Sequence, residues 1–163
     1  MARTFIVEKE WDHNSLKCVI INIYHGYHSS CMPDTHRCGY VGVSRKHPLY
    51  GIEYSQKTKT LQSQSEWLKK QTIGKRDILS MMCWEGETVS PEIFFDVHGG
   101  LTFSGGNGKY PVESDLYFFG FDCAHAGDNE EGGRSLEYCI SECESLADQL
   151  NGIKDVPWMR KRL

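Results

Sequence analysis

The first 43 positions break into short apolar runs separated by polar ones. Residues 4–7 (TFIV) and 17–24 (KCVIINIY) are rich in β-branched and aromatic side chains. Asp12-His13-Asn14-Ser15 lies between them and has turn chemistry, so the pattern predicts an N-terminal β-hairpin. On its second strand Val19, Ile21 and Ile23 alternate with Cys18, Ile20 and Asn22. The first set is the more apolar and is expected to face the core. Residues 25–36 are polar, carry Gly26, Pro33 and Asp34, and predict a loop. Residues 38–43 (CGYVGV) fit a short strand, and HPLYG (47–51) a turn. Pro48 keeps His47 out of helical geometry, and Gly51 permits an abrupt reversal.

Three further strands are expected at 92–98 (EIFFDVH), 101–103 and 116–122 (LYFFGFD). The Gly99-Gly100 turn separates the first two, and a Gly-rich loop over 104–114 the last two, which favours an antiparallel meander. Residues 53–90 lack a sustained pattern. Helical composition over 65–70 and 75–84, interrupted at Gly74, marks a partly helical insertion. The clearest helix covers 135–150. Leu136, Cys139, Ile140, Cys143, Leu146, Ala147 and Leu150 recur at three- and four-residue spacing, while Glu137, Glu142, Glu144 and Asp148 fall mostly on the other face. Gly152 is a stop signal. The predicted fold is α+β: a single domain over 1–163, mainly an antiparallel sheet with the long C-terminal amphipathic helix on one face. Trp158 is expected to anchor a solvated basic tail.

Composition narrows the function classes. The chain has 163 residues, enough to bury a core without staples. Its 22 Asp+Glu exceed 18 Lys+Arg, for a net charge of -4, which argues against broad, sequence-blind nucleic-acid binding. No apolar run approaches the roughly 18 residues of a membrane span. MARTFIVEKEWDH places acidic residues where a signal peptide needs an apolar core, so secretion is not expected. The seven cysteines are odd in number and scattered, a poor disulfide framework, and reduced thiols in a cytosol are the expectation.

Polar residues gather at three places beside these strands: His36-Arg37-Cys38-Gly39-Tyr40 with His47 beyond it, Asp96-Val97-His98-Gly99-Gly100-Leu101-Thr102, and Asp122-Cys123-Ala124-His125-Ala126-Gly127-Asp128. On a strand, Asp96 and His98 would share a face. His98 adjoins a Gly-Gly turn whose backbone amides a ligand can approach. Asp122, His125 and Asp128 are three residues apart, so one turn can present all three. Two imidazoles beside carboxylates can perform general acid and base work near neutral pH. Ionisable groups next to strands as apolar as EIFFDV and LYFFGF must be paired or desolvated, and such groups concentrate at working sites.

Other chemistries fit less well. Asp-x-His with Asp-x-x-His-x-x-Asp offers oxygen and nitrogen ligands for Mn²⁺, Fe²⁺ or Zn²⁺, so a divalent metal is an alternative, though not the favoured one. Cys139 and Cys143 stand at i and i+4 but belong to the apolar stripe, which makes core packing the better account. Cys31, His36 and Cys38 lack a second Cys pair to complete a zinc site. Cys123 and His125 are poorly placed as a nucleophile and base unless the chain bends between them. There is no G-x-S-x-G elbow and no Walker A loop.

At these residues the chain resembles a family of small proteins encoded by bacteriophages and prophages. The matching blocks are HRCGYVGV (36–43), HPLYG (47–51), DVHGGLTFSG (96–105) and YFFGFDCAHAGD (117–128), together with the helix EYCISECESLADQL (137–150). The segment 53–90 looks longer than the connection typical of that family. The resemblance implies a phage accessory protein acting in the cytoplasm of a bacterial host, and small proteins of that kind often counter host defences.

Taken with the His/Asp constellation, the expected function is hydrolysis of a small, cyclic or linear, nucleotide signal. His98 and His125 would serve as base and acid, with Asp122 or Asp128 orienting one imidazole. The amides of Gly99 and Gly100, with Thr102 and Arg37, would hold a phosphate, and Tyr40 or Tyr50 would stack on a base. His36, His47 and Asp96 would complete the ligand site. Two alternatives use the same chain differently. A nucleotide sponge would bind without turnover. An anti-CRISPR-like inhibitor would dock on a host defence protein, and the acidic residues around Asp128-Asn129-Glu130-Glu131 and the insertion over 53–90 would then matter more than the histidines.

Overall fold

A computed structural model describes residues 4–24, 35–61, 89–125 and 134–153. The hairpin forms as β1 (Thr4–His13) and β2 (Leu16–Tyr24), with Asn14 and Ser15 both at positive φ in the two-residue turn. β1 runs past its apolar start because a bulge between Val7 and Lys9 shifts its register. Phe5 therefore packs against one face of the sheet and Trp11 against the other. β3 (Thr35–Val43), β4 (Phe103–Gly106) and β5 (Tyr117–Asp122) complete a five-stranded antiparallel sheet in the order β1-β2-β3-β5-β4.

Both faces of the central strands are buried, which corrects the one-sided core expected for β2. Cys18 and Ile20 lie in one cluster with Val41, Phe119 and Phe121, beneath the C-terminal helix. Val19, Ile21 and Ile23 lie in a second cluster with Cys38, Tyr40 and Phe118. Tyr110, Val112 and Leu116, from the connection between β4 and β5, pack against this second cluster. That is why KCVIINIY is apolar at nearly every position.

The segment 92–98 is not a strand. Ser90 takes the extended N-cap position and Pro91 opens the four-residue helix α1 (Pro91–Phe94), after which the chain runs irregularly to Gly100. Pro at the first helical position is preorganised for a helix. Phe94, Phe95, Val97 and Leu101 are nevertheless buried in the helix-side core. The strand expected at 101–103 begins at Phe103 instead.

The long helix is α2 (Leu136–Asn151). Ser135 caps its start by accepting the Tyr138 N–H, and Gly152 occupies its C-cap. Cys139, Cys143, Leu146, Ala147 and Leu150 are buried against the sheet, so the two helix cysteines are core residues. Polar flanks on either side of this stripe pin other segments. Glu144 accepts from Trp11 Nε1 at 3.3 Å, Asp148 contacts His13 Nε2 at 3.0 Å, and Asn151 donates to the Asn14 carbonyl at 2.9 Å, tying down the hairpin. On the opposite flank Tyr138, Glu142 and Gln149 hold the 96–98 segment. Glu142 is thus half-buried and holds the His98 backbone N–H.

Near the two ends of the expected insertion, Thr58 and Val89 form an isolated antiparallel bridge, with N–H···O distances of 2.9 and 3.3 Å. The short helices expected at 65–70 and 75–84 lie outside the described residues, as do Asp128, the C-terminal tail and residues 25–34 of the loop expected over 25–36, whose last two residues, Thr35 and His36, belong to β3 instead. No helix among the described residues is long and apolar enough to cross a membrane.

Candidate functional site

At the end of β5, Asp122 Oδ1 accepts the Ala124 N–H at 3.1 Å. This side-chain turn bends the chain off the sheet, as a short carboxylate does well. The bend sends Cys123 inward, to 3.6 Å between its sulfur and that of Cys139. His125 is returned toward Asp122, with Nδ1 at 3.7 Å from Oδ1. Cys123 is therefore a core thiol. Its hydrogen bond pulls the Cys139 thiol below the ordinary cysteine range, against the effect of burial and with help from the Arg37 charge.

His98 reaches the same place from the segment after α1. Gly100 N–H closes a turn on the Val97 carbonyl at 2.8 Å, with Gly99 at φ +66°. The Glu142 carboxylate accepts the His98 backbone N–H at 2.7 Å, and the Tyr138 hydroxyl meets His98 Nδ1 at 2.9 Å. The two imidazoles lie with centroids 5.5 Å apart and planes at 70°. His125 lies over Gly99 so closely that a Cβ there would fall within 2.7 Å of three of its ring atoms. Positive φ and close approach both call for glycine at this position.

The His125 Nδ1 atom is shielded from solvent and faces the Asp122 carboxylate, while the side chain as a whole is 36% exposed. Both rings thus turn Nδ1 toward a protein oxygen, within hydrogen-bond length of the Tyr138 hydroxyl for His98 and at the longer 3.7 Å from the Asp122 carboxylate for His125. The Arg134 guanidinium lies 5.0 Å over the Tyr138 ring and brings a cation to the same corner.

The other residues expected at this site are dispersed. Asp96 is exposed, and its backbone is bracketed by Gln149, which accepts its N–H at 2.9 Å and donates to its carbonyl at 2.8 Å. It shares no strand face with His98. The Gly100 amide is used inside its own turn, and the Thr102 amide bonds the Gly120 carbonyl at 2.9 Å. These two amides therefore do not form an open phosphate cradle. Arg37 lies on the helix side of β3 but is forked onto Glu8, with Nε–Oε2 at 2.6 Å and Nη2–Oε1 at 3.2 Å, and its Nη1 donates to the Arg134 carbonyl at 2.8 Å. His36 alternates with Arg37 on β3, opposite Ile23, and so falls on the other face of the sheet.

Tyr40 is buried in the second core cluster, its hydroxyl bonded to that of Tyr110, and cannot stack on a base. Burial there pushes its phenol well above the ordinary tyrosine range. Tyr50 packs on Tyr117 and donates to Asn107 Oδ1 at 3.1 Å. Tyr117 and Asp122 mark opposite ends of β5, about 17 Å apart, so Tyr50 belongs to the far end of the sheet.

His47 lies at that far end too. Its Nε2 donates to the Leu150 carbonyl at 2.8 Å, and its Nδ1 accepts the Leu49 N–H at 3.1 Å. An amide only donates and a carbonyl only accepts, so both bonds require the neutral ring. Burial lowers the His47 pKa, opposed in part by the bond to Leu150. A depressed folded pKa means that the unfolded chain takes up the proton first. Stability is then fully present above about pH 6.5 and declines as pH falls through the folded value. Melting curves from pH 7.5 to 5 should show this decline, and the His47→Gln variant should show less of it. Equal slopes for the two proteins would contradict this role.

Among the described residues, no group of three or more His, Cys, Asp and Glu is arranged to hold a metal ion. The sequence pattern did not single out Tyr138, Glu142 or Arg134. The available signal was the spacing of Tyr138, Glu142 and Gln149 along one flank of the apolar stripe. No protein-family model matches the chain, and neither the curated proteins nor the solved structures contain a significant match.

Proposed function

We propose that this chain hydrolyses a phosphodiester in a small nucleotide by paired histidine acid–base chemistry. The observation that carries this is the approach of His98 and His125 to 5.5 Å between ring centroids, each with Nδ1 addressed by a protein oxygen. In the reaction, one Nε2 takes a proton from water as its oxygen bonds to phosphorus. The phosphorus–oxygen bond to the leaving group breaks, and the other imidazole supplies the leaving oxygen's proton. Positioned proton transfer of this kind contributes about 10²–10⁴-fold to a rate. Arg134 supplies charge for the phosphoryl oxygens.

The setting, a bacteriophage accessory protein that removes a host defence signal, rests on the motif resemblance. It is supported by where the motifs fall: DVHGGLTFSG brings His98 and YFFGFDCAHAGD brings His125 to one corner of the fold. The test is chromatography of cyclic and linear nucleotides incubated with wild type, His98→Ala and His125→Ala. Wild type is expected to convert at least one of them, and each variant to lose about 10²-fold or more in rate. A nucleotide that binds and is recovered intact after denaturation would replace hydrolysis with sequestration. Unchanged turnover by both folded variants would remove the histidines from the mechanism.

A further inference from the structure

The geometry points to a division of labour between the two histidines, and we infer that Tyr138 is the positioning residue that makes His98 the proton donor and leaves His125 as the base. This rests on the hydrolytic reading for its catalytic consequence, but not for its physical content. Two oxygens of different character address the two Nδ1 atoms. Facing His125 Nδ1 at 3.7 Å is a carboxylate, which only accepts, and the atom it faces is shielded from solvent. The contact is longer than a hydrogen bond, so it acts through charge alone: the carboxylate favours the neutral ring that carries its proton on Nδ1 and presents Nε2 as an acceptor. Facing His98 Nδ1 at 2.9 Å is a phenol.

A phenol hydroxyl is a strong donor to a bare imidazole nitrogen, and it can rotate to accept when that nitrogen is protonated. Neutral His98 thus takes the hydroxyl's hydrogen bond at Nδ1 and carries its own proton on Nε2. The imidazolium donates Nδ1–H to the same oxygen and still carries a proton on Nε2. In both charge states of His98, Nε2 is a donor. His125 then receives the proton of the attacking water, with Asp122 beside the imidazolium that forms. His98, entering as the imidazolium, releases its Nε2 proton to the leaving oxygen, and the phenol continues to accept from the proton left on Nδ1.

Tyr138 is held for this task from two sides. Its backbone N–H is fixed by the Ser135 cap at 3.1 Å, and its ring packs edge-on to His98, with centroids 5.4 Å apart, under Arg134. The Tyr138→Phe variant removes only the hydroxyl and keeps the ring that Arg134 covers, so the helix start is retained.

The experiment is nitrogen NMR on protein labelled at histidine, with wild type and Tyr138→Phe compared above the histidine titration range. In wild type, His98 is expected as the Nε2–H tautomer and His125 as the Nδ1–H tautomer. In Tyr138→Phe, the His98 signals should move toward a tautomer mixture while those of His125 stay in place. With a nucleotide that wild type converts, kcat should fall about tenfold or more at little change in KM. A wild-type His98 protonated at Nδ1, or His98 signals indifferent to the substitution, would overturn the assignment. Tautomers as stated in a protein that converts no nucleotide would instead refute the hydrolytic reading and leave the role of Tyr138 standing.

Discussion

Under the hydrolytic function proposed above, Gly99→Ala is expected to abolish turnover while leaving the sheet and α2 intact. The new Cβ would fall on the His125 ring, within 2.7 Å of Cε1, Nε2 and Nδ1. That ring is the far end of a side chain and can swing aside, so the fold survives. The local cost is that of a non-glycine residue at φ +66°, about 1–2 kcal/mol. The chemical cost is far larger, because His125 then loses both its facing to Asp122 and its approach to His98. A displacement of about 1 Å at a reacting group can remove 10²-fold in rate. Kinetics with circular dichroism, and the His125 ring signals in NMR, would check this. A folded variant with an unmoved ring and full turnover would show that the contact has no functional weight. Gly100→Ala is the control: it sits at φ +81° with open space around its Cβ position, so it shares the backbone strain without the collision.

Phe121→Ala is expected to lower stability by about 3–5 kcal/mol, the range for deleting a buried aromatic ring. Phe121 is 1% exposed between the sheet and α2, and its ring occupies the space above Gly39. A Cβ on Gly39 would meet the Phe121 ring at 2.5 Å and the Cys143 sulfur at 2.6 Å. Gly39→Ala in wild type should therefore cost about 1–3 kcal/mol through overpacking. In the Phe121→Ala background the same change should cost less, because one of its two collisions has gone. Denaturant unfolding of the four proteins gives the coupling directly. Strict additivity would mean that the ring does not set how closely the helix approaches the strand.

Much of the layer arrangement was legible in the chain. The hairpin turn, the strands over 38–43 and 117–122, and the α2 stripe with its Ser135 and Gly152 boundaries all follow from local pattern and turn chemistry. The meeting of His98 and His125 was legible only as two polar clusters beside apolar segments, since nothing local encodes their distance. The misassigned piece, 92–98, shows where pattern fails. Phe94, Phe95 and Val97 are buried as a strand would bury them, but they are carried by a short helix that Pro91 opens and an irregular turn. Tyr40, Tyr50 and His47 looked eligible because their residue types suit ligands. Their places, in a second core and at the C-terminus of α2, depend on strand register and helix length, which residue type does not reveal. The 2.9 Å contact from Tyr138 to His98 joins residues 40 apart in sequence, and no periodicity announces it.

The Thr58–Val89 bridge has an evolutionary corollary. Because the chain departs and rejoins at one paired position, additions or deletions between those residues need not disturb the sheet on either side. Doubling a closed loop costs only about 0.6 kcal/mol in chain entropy. Descendants of this scaffold can therefore diverge in length there while conserving the corner where His98 and His125 meet, and an inserted reporter peptide would be best tolerated at the same place.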